Sequence, residues 1–514
     1  MTLLKEETMK SAKTLYIAAL ALATMPVSVA MAAEKPGTTP GEPQKQEVGN
    51  NTAPASDGIA VEGLGPLYTR TISGHRIGHY TDGPVPVDLS VRTVAAYFPY
   101  KGTYNEIVGT GTSSGTFTIA GVPAGYFLLR LGMQYLWTSH SMVNADYYSS
   151  YRSDAATPVN NTTITFNLAN LNAWQSTDFF EMVDPNSTGF TLFPGVVGAT
   201  TFTGTFPYTN ALSDSTQGDK TYFIQLVTQT VGGYDFASAG RFFAPHTFVQ
   251  VDGADTTVSG TLKTVVQNQT FRVNINGADL AAQTVAANPA AVLYDTTLFL
   301  DVYPGSLANG QTTSTPDLIG YSFYTGFNPI TVNADLGDLS FGNPFPATWP
   351  LFTGYQYFAN TNYFAPGATN PVAISTTASG YTTTMPSSTN PIRPLVGVPT
   401  SPLVGMRNFF SNLSGIGLTP ILRWAAPSVG RANAYAVVVY QLSNNGGNSE
   451  YFQIARLQTQ GTSLRLPPGL LSSGQAYIFL IRTLYRPGVV VASKPYVFGP
   501  TNATADVISG VMQP

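Results

Sequence analysis

The chain has 514 residues, which at about 150 residues per domain is roughly three domains' worth of material. Only 10% of residues are charged, against a usual share of about 25%, while 43% are hydrophobic and the formal net charge is −4; a disordered chain, which needs the reverse balance, is excluded, and so is a coiled coil. With no cysteine there is no disulfide, no cysteine nucleophile, no cysteine-ligated zinc and no acylated cysteine, and without a run of Lys or Arg in the mature region nucleic acid is not an expected partner.

Residues 1–32 read as a signal peptide. Lys10 and Lys13 precede the apolar run Leu15 to Ala23, which is followed by Pro26 and the small-residue site Ala30-Met31-Ala32. The run is well short of the roughly 20 residues that span a bilayer, so no transmembrane segment is expected after cleavage. Glu6 and Glu7 sit oddly in such a leader, and Met9 offers a second start. Residues 33–60, dense in Pro, Gly, Thr and Asn, read as a disordered linker.

From there on the dominant signal is period-two alternation. In Thr163 to Leu168, Ile164, Phe166 and Leu168 share one face; in Thr270 to Asn276, Phe271, Val273 and Ile275 do. This is the pattern of antiparallel strands with one buried face. Tyr222 to Thr228, Leu298 to Tyr303 and Ala434 to Leu442 are further strands, separated by turn clusters such as Asn444 to Gly447. The expected fold class is all-β, with tandem antiparallel β-sandwich domains after the signal peptide and linker.

Two stretches carry more than pattern. Gly115 to Leu129, GTFTIAGVPAGYFLL, resembles the closing strands of the carboxypeptidase regulatory-like (prealbumin-like) β-sandwich, on Gly115, Phe117, Ile119, Gly121, Val122, Pro123, Gly125, Phe127 and Leu129. Phe117 and Ile119 are expected in the core, Val122 to Gly125 as a hairpin turn, and Phe127 and Leu129 returning on the same face. The resemblance covers 84–137, within a region taken as 61–172, and implies a non-catalytic module. The C-terminal residues 400–500 resemble a fibronectin type III domain. Trp424 followed by Pro427, then Tyr435, Val437 and Val439 at alternate places, and a corner running from Leu464 to Tyr477 carry the likeness. It implies that the Tyr477 hydroxyl bonds back to the chain while its ring fills the core. Residues 501–514 are expected as a tail. Residues 173–395 match no family pattern and are expected to hold one or two further sandwiches, with a strand and rigid turn at Asp338 to Pro346 and a loop or connector over 369–394.

Motifs for chemistry are thin. Gly111-Thr112-Ser113-Ser114-Gly115 fits G-x-S-x-G, but a strand follows where a nucleophile elbow needs a helix, so a hairpin turn is expected. His75 and His79 are four apart; Gly74 and Gly78 argue against a metal-binding helix, although in a strand both rings would lie on one side. His140 and His246 stand alone. Asp184 opens DPNSTG like a calcium loop, yet the twelfth position is Gly195, which excludes an EF-hand and leaves a turn capped by Asp184, with a structural calcium in the loop as the alternative. Glu62, Asp82, Glu181 and Asp184 are the carboxylates available to a glycosidase. Tyr147, Tyr148, Tyr151 and the stretch Phe352 to Phe364 are aromatic clusters that either fill cores or form a sugar- or protein-binding platform.

These observations point to an exported, non-enzymatic protein with a binding, adhesive or structural role, secreted, periplasmic or on the cell surface. No catalytic residue, metal or cofactor is expected, and the partner is an unknown protein or glycan. The alternative is a glycan-binding or glycan-degrading protein with the fibronectin-like module as an accessory.

Overall fold

The computed structural model describes residues 68–149, 151–186, 189–303, 316–321 and 329–514. The signal peptide and linker read from the sequence, and Glu62, lie outside the described residues. Within them the fold is all-β, built from tandem sandwiches, with one α-helix, Gly277–Val285, and a short 3-10 turn, Ser215–Gln217.

The first sandwich follows directly from alternation. In Thr116–Pro123, Phe117, Ile119 and Val122 are buried, while Thr116, Thr118 and Ala120 face water. That strand pairs with Thr69–His75, which in turn runs parallel to Met142–Asn144. The facing sheet holds Thr103–Val108, Val94–Tyr100, Phe127–Leu131 and Gln134–Thr138. Ile72, Ala96, Phe117, Ile119, Phe127 and Leu129 fill the space between. Val122 to Gly125 is therefore not a hairpin: the strands it joins belong to different sheets, so Phe117 and Phe127 meet across the core rather than side by side. Gly125, at φ +114°, allows this corner.

The second sheet of this sandwich does not end there. Gln134–Thr138 lies parallel to Asn448–Thr459, with Leu457 opposite Tyr135, and carries the sheet straight into the C-terminal sandwich. Its outer face, with Tyr97, Leu128, Tyr135 and Trp137, packs into the same core as Leu422, Trp424, Val437 and Phe479. The C-terminal sandwich itself sets Arg407–Asn408, Thr400–Val404, Ile421–Ala425 and Ser463–Arg465 against Asn448–Thr459, Ala434–Asn445, Ala476–Tyr485 and Asn502–Ile508. The Ser472 amide donates to the Tyr477 hydroxyl at 2.8 Å, and the Tyr477 ring is buried, as the expected corner requires. Residues 501–514 are not a tail. Asn502–Ile508 is the strand that joins this sandwich to its other neighbour, because Ala503, Ala505, Val507 and Ile508 are all buried.

That neighbour is the middle region. Val372–Thr382 pairs antiparallel with Asn502–Ile508 on one side and with Leu351–Tyr363 on the other, so the first half of the stretch 369–394, expected as a loop or connector, is a sheet strand, while 383–394 runs as turns and loop. The sheet then runs on through Val292–Val302, Asp317–Tyr321, Tyr234–Phe243, Tyr222–Val231 and Phe179–Asp184. Altogether 17 strands among the described residues form one continuous sheet. In its middle part both faces are covered. Phe180, Met182 and Phe223 pack against a layer of Thr163–Ala169, Thr201–Pro207 and Asp255–Thr261. Val183, Ile224, Leu226 and Phe236 pack against Gln269–Asn276 and Asn333–Phe341. Thr163–Ala169 thus belongs to the middle and not to the first sandwich, because the Phe166 ring packs on Phe180, Phe193, Phe202 and Phe223.

Candidate functional site

The residues singled out by their chemistry scatter over this frame. Thr112 to Thr116 is a hairpin turn: the Thr112 amide donates to the Thr116 carbonyl at 2.9 Å, and Gly115 adopts φ +78°. Ser113 sits in that turn with no helix behind it. His140 and His246 are exposed in separate loops.

His75 and His79 do come together. His75 ends Thr69–His75, and His79 lies in Ile77–Tyr80, which pairs with Gly83–Pro86 and, in parallel, with Tyr147–Tyr148. Their Nε2 atoms lie 3.2 and 3.0 Å from one oxygen, Asp146 Oδ2, while Asp146 Oδ1 accepts from the Ile77 amide at 2.8 Å. The His79 ring stacks on Tyr148 at 4.5 Å, and the Tyr80 and Tyr147 hydroxyls meet at 2.8 Å. Asp146 is buried and both imidazoles are about one-third exposed. The cluster ties two strand ends to the 145–149 segment; no three His, Asp or Glu side chains among the described residues are placed to hold a metal ion.

The carboxylates do not converge. Asp82 caps a turn, accepting from the Ser153 amide at 2.9 Å and its hydroxyl at 2.7 Å. Asp184 is buried and accepts from the Asn186 amide at 2.9 Å, from Thr221 Oγ1 at 3.1 Å and from Ser213 Oγ, so the capped turn is what forms. Burial nonetheless raises its pKa. Glu181, three places earlier on the same strand, points to the opposite face and into the apolar core beside Ile224 and Val183. Neither of its oxygens has a hydrogen-bond partner among the described residues.

Desolvation holds the Glu181 carboxyl well above the ordinary carboxylate range, and the Asp317 carboxylate acts in the same direction. The folded chain therefore keeps a proton that the unfolded chain releases above about pH 4.3. The stability this group contributes is full below that value and is lost as pH rises through the folded pKa. Glu181→Gln, which has no proton to lose, is expected to exceed the parent in urea stability at alkaline pH and to match it near pH 4, the gap opening as pH rises. A constant difference across that range would contradict the assignment.

The aromatic clusters divide. Phe352 to Phe364 is not a platform: Phe352, Tyr355, Tyr357 and Tyr363 are buried along the central strand Leu351–Tyr363, and of this stretch Phe364 stands out to solvent. Tyr147, Tyr148 and Tyr151 are half-buried around the histidine pair. What sequence reasoning missed is ionic. Arg152 Nε meets the buried Asp219 at 2.9 Å, and Arg482 grips Asp506 with two bonds of 2.7 Å. The partners lie 67 and 24 residues apart, so no local pattern signals them.

A surface hollow of about 210 Å³ is a groove beside Thr400–Val404 lined by Val404, Met406, Arg407, Ile416, Pro420 and Arg465, among others. It falls short of the roughly 300–1,000 Å³ of a typical small-molecule pocket. No helix among the described residues is long and apolar enough to cross a membrane.

No family model matches the chain, and no curated protein matches it. Among solved structures it is similar to the crystal structure of chicken CNTN1 FN1–FN3 domains, at 10% identity over 65% of this chain and 90% of that one, with a TM-score of 0.13. It is also similar to a tetra-tandem repeat in the extending region of a large adhesion protein, at 13% identity over 85% of this chain and 99% of that one, with a TM-score of 0.10.

Proposed function

We propose that the chain is an exported, non-enzymatic protein with a binding, adhesive or structural role at the cell envelope or outside the cell. In this reading residues 1–32 direct export, 33–60 form a stalk, the first sandwich is a carboxypeptidase regulatory-like module and the last a fibronectin type III-like one. The observation that carries it is the uninterrupted sheet. Sandwiches joined by linkers swing independently, whereas these are locked together by strand pairing along Gln134–Thr138 with Asn448–Thr459 and along Val372–Thr382 with Asn502–Ile508. Both pairings cover edges that would otherwise invite unwanted strand addition. Such a body holds a surface at a fixed distance and orientation, which suits a scaffold or adhesin.

Pulling a single mature chain between its ends tests this. The scaffold reading expects the last sandwich and the middle region to yield together, since each covers the other's edge. Separate, evenly spaced unfolding events for each sandwich would overturn it. Turnover of any substrate in a panel of glycans, esters and peptides by the purified protein would overturn the non-enzymatic part.

A further inference from the structure

Where the C-terminal sandwich borders the first one, its larger sheet carries a row of polar side chains on the face turned away from its own core. In Asn448–Thr459, Ala455 and Leu457 point into the shared core, so alternation turns Arg456 and Gln458 to the other side. Register places Gln134 beside Arg456 and Leu136 beside Gln458 in the parallel neighbour. On the other flank the small Ala436 lies between Gln458 and Arg482. The segment that follows Ala476–Tyr485 folds back over this row. Arg486 is buried there, donating to the Pro495 carbonyl at 2.7 Å, with its guanidinium 4.0 Å from the Phe498 ring. The Asn144 amide donates to the Ser493 carbonyl at 2.8 Å and pins the segment to the first sandwich. A small hollow lined by Gln134, Leu136, Pro495 and Tyr496, among others, lies at this junction.

Positive charge is in excess here. Arg456, Arg482 and Arg486 act on one another: burial lowers the Arg486 pKa to about 9, and the charges of Arg456 and Arg482 push the same way. The carboxylate in reach of them is Asp506, which Arg482 and the Thr377 amide already hold. Hydrogen-bonding capacity is in excess too. Among the described residues, Arg456 Nε has no acceptor, Gln134 Oε1 has no donor, and the Gln458 amide, 1% exposed, has neither. Buried polar groups are paired as a rule, and an amide left open at both ends beside an unpaired guanidinium calls for a ligand that both accepts and donates. Solvent reaches the row, since the Arg482 side chain is 29% exposed and Arg456 and Tyr496 are half-buried.

We propose that Arg456, Gln458 and Gln134 form a binding site for a phosphate group at the junction of the first and C-terminal sandwiches. Arg456 and the Gln458 amide nitrogen donate to phosphate oxygens, in the field of Arg482 and Arg486. The glutamine carbonyl oxygens accept from the hydroxyl that hydrogen phosphate keeps at neutral pH. Sulfate has the same shape but no proton to give, so it leaves those buried acceptors unpaired, and the site discriminates against it. The site is independent of the scaffold reading, because strand pairing locks the sandwiches whether or not an anion binds.

Isothermal titration of the purified chain with sodium phosphate and, separately, with sodium sulfate decides it, at about pH 7 and a constant ionic strength of about 0.15 M. Phosphate is expected to saturate a single site, to bind about tenfold or more tightly than sulfate, and to raise the melting temperature. Arg456→Gln should weaken phosphate binding by about tenfold or more. Gln458→Leu, similar in volume, should cancel the preference for phosphate over sulfate. Circular dichroism unchanged from the parent shows that each variant folds, and the comparison of the two ions on the unaltered chain stands even where a variant does not. Glycerol 3-phosphate separates the sources of the group: affinity equal to that of phosphate assigns the site to the end of a larger molecule, and exclusion assigns it to the free ion. Absence of phosphate binding overturns the proposal, as does sulfate binding of equal strength or a phosphate affinity that both variants leave unchanged.

Discussion

Produced on its own, the segment 400–514 is expected to aggregate instead of folding, although it contains every strand of a complete sandwich. The reason lies on the outside of its larger sheet. Val438, Leu442, Ile478, Leu480 and Ile508 face away from the sandwich's own core and are buried under Tyr363, Ala365 and Ile374 of the middle region. Uncovering such a side chain forfeits about 1.5–3 kcal/mol. Five of them together rival the whole stability of a typical domain, about 5–15 kcal/mol. The inner core is also shared, since Tyr97, Leu128 and Trp137 of the first sandwich complete it. Size-exclusion chromatography and far-ultraviolet circular dichroism of the isolated segment check the expectation. The same segment carrying Val438→Thr, Ile478→Thr and Leu480→Thr should be more soluble than the unaltered one, while these changes in the full chain should destabilise it. A monomeric, cooperatively folding segment without those changes would refute the shared-core account.

The two-sided burial was written in the sequence in a form that reads easily afterwards. Ala434 to Val439 and Ala476 to Ile481 are unbroken apolar runs, and every residue in both is buried. A strand that faces water on one side alternates, as Ile164, Phe166 and Leu168 do between Thr163, Thr165 and Asn167. Alternation therefore located the strands and the all-β class, and the fibronectin-like corner located Tyr477. The seam strand Val372–Thr382 was hidden for a different reason. Its inward residues after Ile374 are Thr376, Ala378 and Gly380, too small and too polar in type to mark a core. They are small because large neighbours need the room: a Cβ on Gly380 would stand 2.6 Å from the Tyr355 ring. The same competition explains Phe352 to Phe364, whose aromatic excess fills space opposite such residues and does not stand out as a platform. At the histidine pair the four-residue spacing would put both rings on one side of a single strand, but the strand is interrupted between Thr69–His75 and Ile77–Tyr80, and the rings meet through Asp146 instead. Asp146 was not foreseeable, since it arrives through the parallel pairing of Met142–Asn144 with Thr69–His75, about seventy residues on.

Asp506 concentrates the seam between the middle region and the C-terminal sandwich in one side chain. Its two oxygens accept from Arg482 Nε and Nη2, each at 2.7 Å, and Oδ2 also accepts from the Thr377 amide at 3.1 Å across the strand boundary. The carboxylate is fully buried, whereas Arg482 keeps some contact with solvent. Asp506→Ala leaves the guanidinium without its counter-charge and the Thr377 amide without its side-chain acceptor. Breaking a buried pair from one side costs about 3–5 kcal/mol, far more than the pair itself contributes, because the remaining charge is still desolvated. The urea midpoint, followed by fluorescence of the four tryptophans, should fall accordingly. Replacing both partners, Asp506→Ala with Arg482→Met, removes the stranded charge along with its partner. The double variant should therefore recover part of the loss, a coupling that independent sites do not show. If the single change cost less than about 1 kcal/mol, or if the two changes simply added, the pair would be a surface ornament and the seam would be held by apolar packing alone.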